Sequence, residues 1–327
     1  MTEPEEKFDY FGDKPPAVPG MKRFSHEAMA TTFEVIVVVD DEKYSRQAAA
    51  AAFEEVNRLE AELSRFIPNS DISRINNLPA NRPLILGLDT FECLKLSCRI
   101  YNETGGAFDV TIGPLLSCWR SADGGHSQPS EQELDNARRR TGTNLLKLNE
   151  DEHTVELSVA GVQVDLGGIG KGYAVDKMAE LLREWSINTA LISGGYSSVR
   201  ALDGPAETNG WPLTLSNPAN RKEILARLNL QNRALGSSGI KKGRHIIDPR
   251  TMQPVKGRYA AWSSAPDAAT ADALSTAFMI MSPDEIERYC SQHPEIAAMI
   301  MLQEKDKDTQ KHNILHFGNW KADELPI

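Results

Sequence analysis

The 327 residues hold 36 Lys plus Arg against 46 Asp plus Glu, a formal net charge of −10, with 40% hydrophobic and 25% charged residues. That is the composition of a soluble globular chain, long enough for one large domain or two ordinary ones. An acidic chain with no long basic run repels a phosphate backbone, which excludes general nucleic-acid binding and leaves any phosphate to local contacts.

Residues 1–22, with Pro4, Pro15, Pro16 and Pro19, read as a flexible arm ahead of one domain over 23–327, whose two lobes would hold a site between them. The opening forty residues contain no apolar core of a secretion signal, and no run of about eighteen apolar residues follows. The sequence as given is therefore expected to be cytoplasmic with no membrane span, and exported only if a leader precedes it. Phe33–Val39 is apolar and β-branched, as a buried strand requires. From about Tyr44 to Phe66, Ala48, Ala52, Val56, Leu59 and Leu63 recur at helical spacing. A second helix is expected from Thr90 to Glu103, with Asp89 as N-cap and Gly105-Gly106 as its stop.

Between Ser117 and Ser130 the composition turns polar and Gly-rich, a surface loop leading to a short helix near Glu131–Arg140. Short strands follow at Leu145–Leu148, Thr154–Leu157, Val162–Leu166, Leu191–Ser193 and Pro212–Leu215. Tight turns separate most of them, so antiparallel pairing is expected rather than a doubly wound parallel sheet. Helices at Tyr173–Trp185, Ala268–Met281 and Pro283–Ser291 complete an α+β chain of mixed, mainly antiparallel sheets flanked by helices. Cys93, Cys98, Cys118 and Cys290 have neither CxxC nor zinc-site spacing and are expected as buried, reduced thiols.

The densest chemical signal is Val164-Asp-Leu-Gly-Gly-Ile-Gly-Lys-Gly-Tyr173, a strand entering a Gly-rich turn and then a helix. Glycines let a ligand approach the backbone, the free N–H groups of a helix start favour an anion, and Lys171 adds a point charge. It is not a Walker A loop, because Asp165 stands where the first Gly belongs. The bland alternative is a tight turn with no ligand. Asp272 and Thr276, one helical turn apart, project oxygens from one face and could meet Mg²⁺; equally, Asp272 could be a cap and Thr276 bond its own helix. Asp109 and Thr111 lie on a loop flanked by Gly and Pro. His245 and Asp248 stand three apart beside a Pro turn, a base with its orienting carboxylate, or else a strand residue and a turn opener.

In order along the chain, Met29-Ala-Thr31, Leu63-Ser-Arg-Phe66 with Ser70-Asp-Ile-Ser-Arg-Ile-Asn76, Gly106-Ala-Phe-Asp109, Asp165–Tyr173, His245-Ile-Ile-Asp-Pro-Arg-Thr251 and Ala271-Asp-Ala-Leu-Ser-Thr276 resemble the successive motifs of the ApbE family, the flavin transferases. The resemblance spans about Phe24 to Met281 and implies a T-fold-like architecture. It implies FAD as substrate, Mg²⁺ (or Mn²⁺) as cofactor, and an acceptor protein whose Thr or Ser hydroxyl receives FMN as AMP leaves. By position, Met29, Phe66, Ala107, Phe108, Asp109, Asp165, Lys171 and Ile246 match FAD contacts. Gly168 would offer its carbonyl to the metal, beside Asp272, Ser275 and Thr276. His245 or Asp248 would handle the acceptor proton. The alternatives are a pyrophosphatase giving FMN and AMP, or an FAD-binding protein without turnover.

The chain departs from the family pattern at Ala30, Tyr196 and Met252, and Phe66 stands where Tyr is common. It also lacks the lipobox Cys that exported members often carry.

Overall fold

The computed structural model describes residues 18–120, 125, 127–218, 220–240, 246–305 and 312–320. The chain opens on a hairpin, β1 (Met21–Ala28) and β2 (Thr31–Val38), turned by Met29 and Ala30 at φ 49° and 56°. Helix α1 (Glu42–Leu63) is capped by Asp41, which accepts from Tyr44 N, and buries the Ala48, Ala52, Val56, Leu59, Leu63 stripe. Then come α2 (Asp71–Asn76), β3 (Leu84–Ile85), α3 (Leu88–Glu103), α4 (Gly113–Cys118), α5 (Glu131–Arg138), β4 (Leu146–Asn149) and β5 (Thr154–Leu157). Helix α6 (Gly170–Glu184) leads into β6 (Ala190–Gly194) and β7 (Ser198–Ala201). The hairpin β8 (Trp211–Asn217) and β9 (Asn220–Leu230) precedes β10 (Arg233–Gly239) and the short pair β11 (Ile247–Asp248) and β12 (Gln253–Pro254). Strand β13 (Arg258–Ala265), helices α7 (Ala268–Phe278) and α8 (Pro283–Gln292), and strands β14 (Ala297–Lys305) and β15 (His312–Gly318) finish the fold.

Eight strands form one sheet in the order β1-β2-β6-β7-β10-β13-β14-β15, and β3-β5-β4 form a small second one. Every named strand pair is antiparallel, as the tight turns predict. Strand β2 shows why Phe33–Val39 is continuously apolar. Phe33, Val35 and Val37 face the main core, which the stripes of α1, α6 and α7 share, while Ile36 points to the other side of the sheet. There the β8–β9 hairpin covers it with Trp211, Leu213 and Leu228, so both faces of the sheet are buried. A third cluster, Leu115, Ala137, Ile247 and Met252, fastens the β11–β12 hairpin to α4 and α5, and Trp119 Nε1 donates to Met252 O at 3.0 Å.

Several details differ from the sequence reading. Met21–Ala28 is a strand, so the sheet begins inside the segment read as an arm; residues 1–17 lie outside the described residues. The N-cap of α3 is Gly87, whose N–H is held by Asp71 Oδ2 at 2.7 Å; Asp89 sits in the first turn and takes the Tyr173 hydroxyl at 2.9 Å. Val162–Leu166 is extended but pairs with no strand beyond the single Ile112–Gln163 bridge. Its Val164 backbone is held instead by the Asn76 amide, at 2.6 and 3.0 Å. Cys93 and Cys290 are buried as expected, but Cys98 and Cys118 are half-buried. Residues 121–124 and 126 of the polar loop lie outside the described residues. No described helix is long and apolar enough to cross a membrane.

Candidate active site

The Gly-rich turn is shaped from within. Asp165 N donates to Val110 O at 2.7 Å, and Asp165 Oδ1 accepts from Gly167 N at 2.8 Å, closing an Asx turn ahead of α6. Helix α6 has no side-chain N-cap, so its first N–H groups need other partners. One of them, Gly172 N, donates to Asp272 Oδ2 at 3.2 Å, an oxygen from α7 on the far side of the sequence. Lys171 Nζ lies 3.5 Å from the same oxygen and 3.3 Å from Gly167 O.

Glycine makes this meeting sterically feasible. A Cβ on Gly172 would collide with the Ala268 carbonyl, and a Cβ on Gly236 with the Ala271 carbonyl, so α6 and β10 both rest directly on the backbone of α7. The small residues Ala268, Ala269, Ala271 and Ala273 complete that close approach, which explains why this stretch of sequence carries so little volume.

Acids fix the N-terminus of α7. Asp267 accepts from Thr270 N at 2.7 Å as the N-cap, and Asp176 of α6 accepts from Ala268 N and Ala269 N at 2.9 and 2.8 Å. Burial pushes the Asp176 carboxyl up to about 6, against the pull of the Arg200 guanidinium 2.6 Å away. One turn on, Asp272 is 2% exposed. Every residue of α7 is buried except Thr276. Gly168 lies against that threonine: a Cβ there would stand 3.2 Å from Thr276 Oγ1 and 3.3 Å from Phe108 Cε2. Ser275 Oγ donates to Asp272 O at 2.8 Å. Gly168, Lys171, Asp272, Ser275 and Thr276 are thus brought to one place. Ser238, at the end of β10, joins them, 2.8 Å from Ser275 Oγ and 3.0 Å from Thr276 Oγ1.

Apart from Lys171, the side-chain donors gathered here are all oxygen: one carboxylate and the hydroxyls of Ser238, Ser275 and Thr276. Among the described residues no three His, Cys, Asp or Glu side chains gather to hold a metal. Hard oxygens with a single carboxylate suit a hard cation such as Mg²⁺ or Mn²⁺ and fit a thiophilic metal poorly.

A model of the ApbE family matches residues 29–300. The chain belongs to the ApbE family. It is 28% identical over 283 residues to a Haemophilus influenzae protein named FAD:protein FMN transferase, covering 80% of this chain and 81% of that one. Among solved structures, the apo flavinyl transferase ApbE of Pseudomonas stutzeri aligns with TM-score 0.80 at 24% identity, covering 91% of this chain and 94% of that one. The ApbE protein of Thermotoga maritima aligns with TM-score 0.79 at 26% identity, covering 91% and 97%.

The other residues singled out in the sequence stand in different states, and among them Phe108 touches Gly168 while Phe66 is tied to the turn through Arg65. Phe66, in the loop after α1, is 78% exposed, with the Arg65 guanidinium 4.6 Å from its ring centroid. Arg65 Nε also lies 3.3 Å from Asp165 Oδ2, so it ties the exposed ring to the Gly-rich turn. Ala107, Phe108 and Asp109 are buried. Asp109 Oδ1 accepts from Thr111 N, Thr111 Oγ1 and Thr143 Oγ1 at 2.7, 2.6 and 2.8 Å, and these bonds oppose a rise caused by burial. In this geometry the carboxylate holds its own loop in shape. Met29 is half-buried in the β1–β2 turn, where Gly195 N donates to Thr32 O at 2.9 Å. Ile246 is buried in the main core.

His245 lies outside the described residues. Asp248 accepts from Arg250 N at 2.9 Å and Arg250 Nε at 3.2 Å on one oxygen, Oδ1, and Arg250 reaches Glu285 at 2.8 Å. The turn-opening geometry of Asp248 is therefore realised. Arg65, Asp176 and Ser238 escaped the sequence reading. Each acts through a partner at least 24 residues away, which no local pattern discloses.

Proposed function

We propose that the chain transfers FMN from FAD to a Thr or Ser hydroxyl of an acceptor protein, with Mg²⁺ or Mn²⁺ bound, and releases AMP. The observation that carries this reading is the junction itself. A Gly-rich helix start and Lys171 face the one buried carboxylate of α7 and the one residue of that helix, Thr276, left open. The names of the curated relatives supply the direction of transfer.

The acceptor oxygen forms a bond to the flavin-side phosphorus as the bridging P–O bond to AMP breaks. The acceptor proton goes to a base, and AMP departs with the bridging electron pair. Asp272, Thr276 and the Gly168 carbonyl would hold the cation, which supplies neutralisation of the charge building on the diphosphate. Lys171 supplies the positive charge that binds phosphate oxygens, at the positive end of the α6 dipole beside the Gly-rich turn. Phe66 offers a ring face to the flavin, and Arg65 keeps that ring over the turn. With Asp248 Oδ1 engaged by Arg250, we assign the acceptor proton to His245 and the shape of the turn to Asp248. Residues 23–327 act as one domain, with FAD lying between the layer of α6 and α7 and the part that carries Phe66 and Phe108.

Incubation with FAD and Mg²⁺ together with a panel of Thr- and Ser-bearing peptides tests the proposal, with peptide mass and AMP followed together. A peptide gaining the mass of FMN in step with AMP supports transfer. AMP without an adduct makes the chain a pyrophosphatase, and unchanged FAD makes it a binding protein.

A further inference from the structure

We propose that Ser238 is a positioning residue that turns the lone pairs of the Thr276 hydroxyl toward the cation. The inference rests on the cation reading of Asp272 and Thr276 given above. Ser238 Oγ stands 2.8 Å from Ser275 Oγ and 3.0 Å from Thr276 Oγ1. Each hydroxyl has one proton and two lone pairs, so the three protons can be followed from the one partner that never donates. That partner is the Asp272 carbonyl oxygen, 2.8 Å from Ser275 Oγ. The Ser275 proton is committed to it. Ser238 must then donate to Ser275 and, with its only proton used, accept from Thr276. The order is Thr276 to Ser238 to Ser275 to the Asp272 carbonyl.

This order decides what Thr276 shows to a ligand. Its proton points toward Ser238 on β10, and its lone pairs are left for other neighbours; Gly168 packs against the same oxygen. A hydroxyl ligates a cation through a lone pair, and a proton aimed at the cation repels it. The carbonyl one turn back, Asp272 O, to which a helical threonine would otherwise donate, is already taken by Ser275. Without Ser238 the Thr276 hydroxyl has no fixed acceptor and rotates. Ser275 is fully buried and Asp272 is 2% exposed, so the inner end of this chain of bonds is closed to bulk water, while a water at the open Thr276 fixes no single orientation of its hydroxyl.

Removal of a hydrogen-bond partner that orients a metal ligand typically weakens metal affinity about 10–100-fold. Titration of the purified chain with Mn²⁺ at saturating FAD, with free Mn²⁺ read by electron paramagnetic resonance, should show S238A binding about 10-fold more weakly than wild type. S238T, which keeps the hydroxyl, should bind within about 2-fold of wild type, and FAD affinity without metal should not move in either. T276V keeps the shape of Thr276 without its oxygen, so S238A added to T276V should cost nothing further. Wild-type Mn²⁺ affinity in S238A, or a second 10-fold loss in the double variant, overturns the role of Ser238 while leaving the cation site standing. Equal Mn²⁺ affinity in wild type and D272A overturns the cation reading and this inference with it.

Discussion

The two ends of the proposed site are built differently. At the diphosphate end, α6 and β10 sit on the backbone of α7 through Gly172 and Gly236, Asp272 is 2% exposed, and three hydroxyls share one chain of bonds. At the flavin end, Phe66 is 78% exposed on a loop and is steadied by one guanidinium. Position at the first end is fixed by main-chain packing, and at the second by side-chain contact. Changes at the first should disturb fold and chemistry together, and changes at the second should alter binding alone.

The sharpest test of that contrast is D272A. Loss of the carboxylate should lower turnover by about 1,000-fold, near 4 kcal/mol, because the cation that would neutralise the breaking pyrophosphate then loses its anionic ligand. FAD binding should fall far less, which stopped-flow quenching of flavin fluorescence beside single-turnover AMP release would separate. Next comes G172A, whose new methyl meets the Ala268 carbonyl. It should cost on the order of 3 kcal/mol in urea unfolding and reduce activity with it. F66A should weaken FAD about 10-fold by equilibrium titration, with kcat close to wild type, since an aromatic stacking contact contributes up to about 1.5 kcal/mol. A large kcat loss in F66A, or an undisturbed fold in G172A, would erase the distinction between the two ends.

A pH prediction sharpens the buried end further. Asp176 holds the first turn of α7, and its carboxyl is raised to about 6 in the folded chain. The folded state binds this proton more tightly than the unfolded one. The associated stability is present at low pH and is lost as pH rises through about 6. D176N cannot titrate, so its stability relative to wild type should improve, by up to about 3 kcal/mol, as pH rises from about 4 to 7. Parallel unfolding curves at both pH values check this, and an unchanged difference contradicts it.

Much of this architecture was readable because local patterns coincide with tertiary demands. The α1 stripe, the Gly-rich turn and the Ala-rich start of α7 each bury the face that their spacing indicates. Strand β1 was missed because, at the edge of the sheet, it carries Lys22, Arg23, Ser25, His26 and Glu27 rather than an apolar run. Val162–Leu166 looked like a strand because its alternation is real, although Asn76 supplies the backbone partners that a neighbouring strand would have given.

The departures at Ala30 and Met252 also resolve physically. Both hold positive φ, 56° and 61°, a backbone region that favours glycine, at a cost of about 1 kcal/mol each. Met252 offsets it by burying its side chain with Leu115 and Ile247, which no local pattern discloses. The hydroxyl chain was invisible for a related reason: Ser238 and Ser275 are 37 residues apart and meet only because Gly236 lets β10 touch α7.

The most direct test of the central claim is a crystal of the chain soaked with FAD and Mn²⁺, with the metal located by its anomalous signal. The account predicts a peak about 2 Å from Asp272, Thr276 and a diphosphate oxygen, beside the Gly168 carbonyl. A bound FAD whose diphosphate lies away from the Gly167–Gly172 turn, or a metal peak remote from Asp272, would contradict it.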